Sequence, residues 1–271
     1  MAKSSFSAVG SPFSDRLSAV LAGDTSQQQA ESLAAQLELP LAASREDFDF
    51  FLTYVDHVLQ LQKSHSGIGG VYADFVSGKV GHRFRFGGGK GQLIARAVGL
   101  KKGQLPEVLD LTAGLGRDGF VLASLGCSVR LLERSPIVAA LLQDGLQRAA
   151  EDAGVAEVIE RMQLIQADSI HYLQNLQNRQ TPDVCYLDPM YPHTKKSALP
   201  GKEMLLFREV VGEDLDSGDV LALARKVASK RVVVKRPRKA DYLAGEKADF
   251  QMFGKSTRYD IYLPDIPLRN P

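Results

Sequence analysis

The chain has 271 residues, 44% of them apolar and 24% charged, with 33 Lys and Arg against 32 Asp and Glu. That length admits one large domain or one domain with a smaller companion, and the composition is ordinary for a soluble globular protein. A net charge near zero excludes a global attraction to polyanions, so any nucleic-acid contact must rest on local patches. No apolar run approaches bilayer length, and the N-terminus lacks the apolar core of a signal peptide. Cys127 and Cys185 fall in or beside expected strands without metal-ligand spacing. They read as small buried hydrophobes of a reduced compartment, so a cytoplasmic protein with no membrane and no metal partner is expected.

In chain order, residues 25–37 are dominated by Ala, Gln and Leu and have helical character. Residues 50–54 and 57–61 look like short strands, and residues 71–76 and 80–86, joined by Ser77-Gly78-Lys79, read as a hairpin. A glycine run, Gly87-Gly88-Gly89-Lys90-Gly91, leads into an expected helix over 92–98. Strict strand–helix alternation then begins. Strands are expected over 108–111, 128–132, 161–167, 183–187 and 231–235. Helices are expected over 117–125, 136–152, 170–178 and 217–230, the first stopped by Gly126 and the second opened by Pro136. Residues 249–253 and 258–263 follow without a helix between them and form an antiparallel hairpin. Alternating βα units imply a mostly parallel sheet covered on both faces, which the terminal hairpin makes a mixed seven-stranded one. The reading divides the chain into a small mixed α/β N-terminal part with a basic, glycine-rich connector (1–104) and an α/β domain (105–271).

The segment Asp110-Leu111-Thr112-Ala113-Gly114-Leu115-Gly116-Arg117-Asp118-Gly119 leaves the first strand of that domain and opens a helix. Its GxGxxG permits a tight turn and close approach of a ligand to the backbone. Glu133 ends the next strand, placed to accept from ribose hydroxyls, so a nucleoside cofactor is favoured over a structural turn. A dinucleotide needs this loop for its pyrophosphate. Asp110 and Asp118 suit a cationic amino group and a sulfonium better, which points to S-adenosylmethionine. Asp118 alone also reads as a solvated first-turn acid complementing the helix dipole. Asp168 and Ser169, ending the third strand, read equally as adenine contacts and as a helix N-cap.

The fourth strand runs into Asp188-Pro189-Met190-Tyr191. The Asp188 carboxylate and the Pro189 carbonyl offer two acceptors for the two hydrogens of a planar amine. Tyr191 can stack on the ring that carries it. The bland alternative is a strand-end carboxylate beside a core-edge aromatic. No covalent cysteine intermediate is needed for transfer to such an amine.

Three stretches together, residues 110–119, Leu132-Glu133-Arg134 and residues 186–193, resemble the RsmJ family. The resemblance extends to residues 82–91, 195–199 and 230–237 and covers most of the chain after about residue 68. It implies a class I, Rossmann-like methyltransferase acting on the N2 amine of a guanine in 16S rRNA or the small ribosomal subunit. By it, cofactor contacts fall on Arg117 and Asp118, Glu133 and Arg134, Asp168 and Ser169, and Asp188, beside the loop residues Asp110, Gly114 and Gly116. Where the looser amine-methyltransferase pattern has two prolines after the acid, this chain has Pro189-Met190.

Three basic clusters are candidate RNA contacts: Arg83 and Arg85 with His82; His193 with Lys195 and Lys196; and Lys235, Arg236 and Arg238 with Lys239. Each also reads as a solvated face. Lys90 lies in the glycine run, which serves equally as a phosphate cradle or a hinge. Competing readings are another amine methyltransferase acting on DNA adenine or cytosine or on a protein amide, an NAD-binding oxidoreductase, and a catalytically silent RNA-binding protein.

Overall fold

A computed structural model of the chain describes residues 18–22, 27–67, 69–77, 91–101, 103–177, 181–190, 209–210, 212 and 214–265. They belong to two compact units, one drawn from Met1–Val71 and Ala198–Val211, the other from Tyr72–Ser197 and Gly212–Pro271.

The first unit carries strands β1 (Ser18–Leu21), β2 (Leu41–Ala42), β3 (Phe50–Val55) and β4 (Val58–Lys63), and helix α1 (Gln27–Leu37). Its four-stranded sheet has the order β2-β1-β3-β4. Helix α1 buries Ala30, Leu33, Ala34 and Leu37, one face at helical spacing. Strands β3 and β4 form an antiparallel hairpin. Asp56 and His57 turn it with φ of 50° and 64°. A two-residue hairpin turn demands that positive-φ pair, which moves His57 out of the strand that sequence periodicity assigned to it.

The second unit contains β5 (Val108–Asp110), β6 (Val129–Glu133), β7 (Met162–Gln166), β8 (Val184–Leu187), β9 (Arg231–Pro237), β10 (Phe250–Phe253) and β11 (Thr257–Tyr262). Its helices are α2 (Leu93–Ala97), α3 (Arg117–Ser124), α4 (Pro136–Ala150), α5 (Ala156–Ile159), α6 (Ser169–Gln174) and α7 (Ser217–Val227). The sheet has seven strands in the order β10-β11-β9-β8-β5-β6-β7. Strands β5 to β9 run parallel, and β11 and β10 add the antiparallel edge.

Alternate strand residues feed two cores. Val108, Leu131, Tyr186, Val233 and Ile261 pack with Phe120 of α3 and Leu142 and Leu146 of α4. Leu109, Leu132, Cys185, Leu187, Val232, Val234 and Tyr262 pack with Leu173 of α6 and Leu221 of α7. Gly119 suits this layering: a Cβ there would lie 2.4 Å from Leu131 Cδ2, so a side chain would force Leu131 to shift.

The expected hairpin over residues 71–86 is corrected. Val71 makes only an isolated bridge to Leu61, and residues 72–77 form no strand. Asp74 Oδ1 instead accepts from the backbone N–H groups of Val76 and Ser77, each at 3.0 Å, closing a turn. Ala73 and Phe75 are buried in the core, and Phe75 stacks on Phe120 with ring centroids 5.0 Å apart. Burial of Val71, Ala73 and Phe75 thus imitates a strand's period without a partner strand. The second arm, residues 80–86, lies outside the described residues.

Candidate active site

The sheet order reverses between β5 and β8. From β5 the chain builds outward through β6 and β7, then returns to add β8 and β9 on the other side. In open α/β sheets such a switch point, at the carboxyl ends of the strands, is where ligands bind. Among the described residues, the cofactor and amine candidates lie along that edge.

The glycine loop is joined to the end of β6 through Glu133. Its Oε2 accepts from Gly114 N at 2.9 Å and its Oε1 from Ser135 N at 2.8 Å. Burial raises the Glu133 carboxyl to about 7, against the pull of those two bonds. Asp110 is buried at the end of β5 and accepts from Thr112 N at 3.1 Å. Burial lifts its pKa to about 8. Gly116 stands at the N-cap of α3 with φ of 70°, where a Cβ would also lie 2.7 Å from Leu142 Cδ1. A side chain here would be strained in backbone and blocked in space.

A second cluster joins α3, β8 and β9. Lys235 Nζ donates to Asp118 Oδ2 at 2.7 Å and to Asp188 Oδ2 at 2.8 Å. Tyr186 Oη donates to the same Asp118 oxygen at 2.6 Å. Asp188 N donates to Thr112 Oγ1 at 2.6 Å, tying the residue after β8 to the second residue after β5. Burial and then the Asp118 and Asp188 charges keep the Tyr186 phenol far above its usual pKa, as a neutral donor. Burial alone would depress the Lys235 ammonium, but Asp188 and Asp118 outweigh it and raise its pKa. Burial, and then the Asp118 charge, push the Asp188 carboxyl up, and Lys235 opposes this. With its side chain 41% exposed and an ammonium at 2.8 Å, the Asp188 carboxylate is held ionised.

A third cluster holds the chain just past β8. Asp214 Oδ2 accepts from Met190 N at 2.7 Å. Arg134 reaches Asp214 at 2.6 Å and Asp216 at 3.0 Å. Asp168 is the N-cap of α6, accepting from His171 N at 2.9 Å. Ser169 Oγ donates to Leu111 O at 2.6 Å. The cap that sequence allowed for Asp168 is therefore present.

The basic residues of β9 separate. Lys235 turns to the two carboxylates, whereas Arg236, one residue on, is buried and donates to Asp241 O. Arg238 donates to Gly254 O and lies over the Phe253 ring, 5.4 Å from its centroid. Arg83, Arg85, Lys90, Tyr191, His193, Lys195 and Lys196 lie outside the described residues. Thr112, Tyr186 and Asp214 escaped the sequence reading. Strand alternation would have found Tyr186, which shares a face with Val233 and Lys235.

These side chains suit a nucleoside cofactor that carries a cation. Asp118 and Asp188 share the one Lys235 ammonium and keep a net negative charge at this edge, which attracts an ammonium or sulfonium and repels a pyrophosphate. Each Glu133 oxygen accepts one backbone bond and keeps a lone pair for a ribose hydroxyl.

Residues 32–264 match the model of a family described as SAM-dependent methyltransferase. Ribosomal RNA small subunit methyltransferase J of Pseudomonas fluorescens is 50% identical over 252 residues, covering 93% of this chain and 96% of that protein. The protein of the same name from Laribacter hongkongensis is 52% identical over 244 residues, covering 90% of this chain and 86% of its own length.

The chain belongs to the RsmJ family.

The crystal structure of the SAM-dependent methyltransferase NGO1261 from Neisseria gonorrhoeae has the same architecture as this RsmJ family member. It is 37% identical, with a TM-score of 0.72, covering 91% of this chain and 96% of that one. The fold is that of a class I methyltransferase, and the cofactor is S-adenosylmethionine. An oxidoreductase reading of the glycine loop is thereby set aside. Among the described residues no helix is long and apolar enough to cross a membrane, and no three His, Cys, Asp or Glu side chains gather as metal ligands.

Proposed function

We propose that this protein transfers a methyl group from S-adenosylmethionine to the exocyclic N2 amine of a guanine in 16S rRNA. The observation that carries the reading is Asp188. Its carboxylate stands at the carboxyl end of β8, pinned through its main chain to Thr112 and through Oδ2 to Lys235, with Pro189 next in the chain. Relatives that share about half of its residues are named for small-subunit ribosomal RNA, which supports an RNA substrate.

The cofactor, when bound, supplies a methyl group on a cationic sulfur. Asp110, Gly114, Gly116, Arg117, Asp118, Glu133, Arg134, Asp168, Ser169 and Asp188 are assigned to hold it, with Glu133 taking the ribose hydroxyls. The N2 lone pair of guanine is delocalised into the ring and is a weak nucleophile. Asp188 and the Pro189 carbonyl each accept one N–H of the amine, which orients the nitrogen and favours its pyramidal form. Alignment of this kind supplies much of the rate in a direct displacement. The amine becomes acidic only once it carries the methyl group, and Asp188 then accepts the surplus proton. Cys185 takes no part: it is buried, and burial lifts its thiol to about 12.

Tyr191 is assigned to stack on a guanine that is unpaired or turned out of its helix. Phosphate contacts are assigned to Arg83, Arg85, Lys90, His193, Lys195, Lys196 and Arg238, so transfer should fall steeply with added salt. Catalysis is assigned to residues 105–271 together with the stretch from Tyr72 that belongs to the same compact unit, which moves the boundary back from the expected residue 104. The test is transfer of a tritiated methyl group onto small ribosomal subunits from a strain lacking this protein, followed by nucleoside mass spectrometry. Label in N2-methylguanosine is expected. Label in a methylated adenine or cytosine, or in protein, would overturn the proposal.

A further inference from the structure

Lys235 belongs to neither group that a basic residue at the rim of an RNA enzyme would suggest. A phosphate contact keeps its ammonium open to the solvent side. Here the ammonium is engaged by two carboxylates, at 2.7 and 2.8 Å. Two carboxylates and one ammonium sum to a single negative charge, which repels a phosphate. A purely structural pair is saturated and closed to water. Here the Lys235 side chain is 27% exposed and that of Asp188 41%.

The placement follows from strand register. Val234 pairs with Leu187, so the next residues, Lys235 and Asp188, lie side by side where β8 ends. Lys235 shares its face with Val233 and Tyr186, so its stem rises toward the sheet edge between two strands that cannot shift independently. Tyr186 Oη fixes Asp118 Oδ2 from beneath, and Thr112 fixes the Asp188 main chain. Among the described residues, no hydrogen bond reaches Asp188 Oδ1. Lys235 engages one oxygen of the acceptor.

We propose that Lys235 is a positioning residue for methyl transfer: its ammonium bridges Asp118 and Asp188, holds the Asp188 carboxylate by Oδ2, and leaves Oδ1 to the substrate amine. The proposal rests on the reading of Asp188 as the amine acceptor. It adds an electrostatic function to the orienting one. Asp188 faces Asp118 of α3, Asp110 at the end of β5, Asp214 ahead of α7 and the Tyr186 phenol of β8, with Lys235 as the opposing charge. Without the ammonium these acids repel one another, and the acceptor takes up a proton more readily. Lys235 also sets the charge beside the cationic cofactor at one negative unit rather than two.

The test uses the full chain with Lys235→Met and Lys235→Arg. For Lys235→Met at saturating cofactor, kcat should fall by roughly a hundredfold, the order expected when an alignment contact is lost. The KM for RNA should hold. The acid limb of the pH profile for kcat should move to higher pH, and Lys235→Arg should restore part of the rate. Calorimetry gives a readout independent of turnover. Loss of the ammonium leaves two uncompensated carboxylates, so affinity for S-adenosylmethionine should rise relative to affinity for neutral S-adenosylhomocysteine.

A raised RNA KM with unchanged kcat would overturn the proposal in favour of a phosphate contact. Equal weakening of both cofactor ligands together with a lowered melting temperature would overturn it in favour of a structural pair. If Lys235→Met does not fold, the same ligand ratio and pH limb measured in Lys235→Gln decide the matter. If the wild-type chain methylates something other than guanine, the functional reading fails, and the ligand ratio still judges Lys235 by itself.

Discussion

Two ion-pair clusters sit on the neighbouring strands β9 and β11, on opposite faces of one sheet, and they are built differently. On one face Arg258 meets Asp260 through two parallel bonds of 2.9 Å, with side chains 7% and 0% exposed. Gln251 Nε2 donates to the same carboxylate at 2.7 Å. The guanidinium also donates to Ala240 O and Asp241 O and lies over the Tyr242 ring. Every side of that pair is occupied, and it pins the loop that follows β9. On the other face Lys235 holds two carboxylates by one oxygen each, one of them well exposed. Saturation marks the first cluster as architecture. The exposed acceptor carboxylate marks the second as chemistry. A buried charge costs stability when its partner is removed, so the two clusters should respond to mutation in opposite ways.

Asp260→Ala should produce the largest loss of stability, because it strands the Arg258 guanidinium in the core. About 3–5 kcal/mol is expected, read from urea unfolding. Cofactor affinity per folded molecule should be unchanged. A loss below about 1 kcal/mol would erase the distinction drawn between the clusters, since that is the worth of an exposed pair.

The pH dependence of folding sharpens the comparison from the cofactor side. Burial raises Asp110 from 3.8 to about 8 and Glu133 from 4.5 to about 7. Between those limits the folded chain keeps protons that the unfolded chain has released. These two groups therefore contribute their full stability below about pH 4 and lose it as pH rises through about 7 and 8. Asp110→Asn should make the fall in urea midpoint between pH 5 and 8 shallower. An unchanged slope would mean that Asp110 is not the buried acid described. The smallest effect is expected at the α6 cap. Asp168→Ala should cost about 1 kcal/mol, and a separate calorimetric loss of cofactor affinity would show whether the cap also serves the ligand.

Much of this was legible in the sequence because physics repeats itself locally. Alternating apolar strands and amphipathic helices gave the parallel sheet, and Gly114, Gly116 and Gly119 gave the turn from β5 into α3. The segment from Val71 to Val76 misleads because Val71, Ala73 and Phe75 alternate in burial as strand residues do, while Asp74 closes a turn. In sequence Lys235 stands with Arg236 and Arg238 as one basic run. Period-two geometry puts Lys235 and Arg236 on opposite faces, one toward Asp188 and one into the core. The Asp214 bonds to Arg134 and to Met190 N carried no local signal, because they join segments far apart in the chain.

The most direct test is the single-turnover rate of methyl transfer by Asp188→Ala, at saturating cofactor and on small ribosomal subunits. With the fold intact by circular dichroism, transfer to guanine should drop by about a thousandfold, within the range for a positioned acid–base group. A folded Asp188→Ala protein that methylates the same guanine at the wild-type rate would contradict the account.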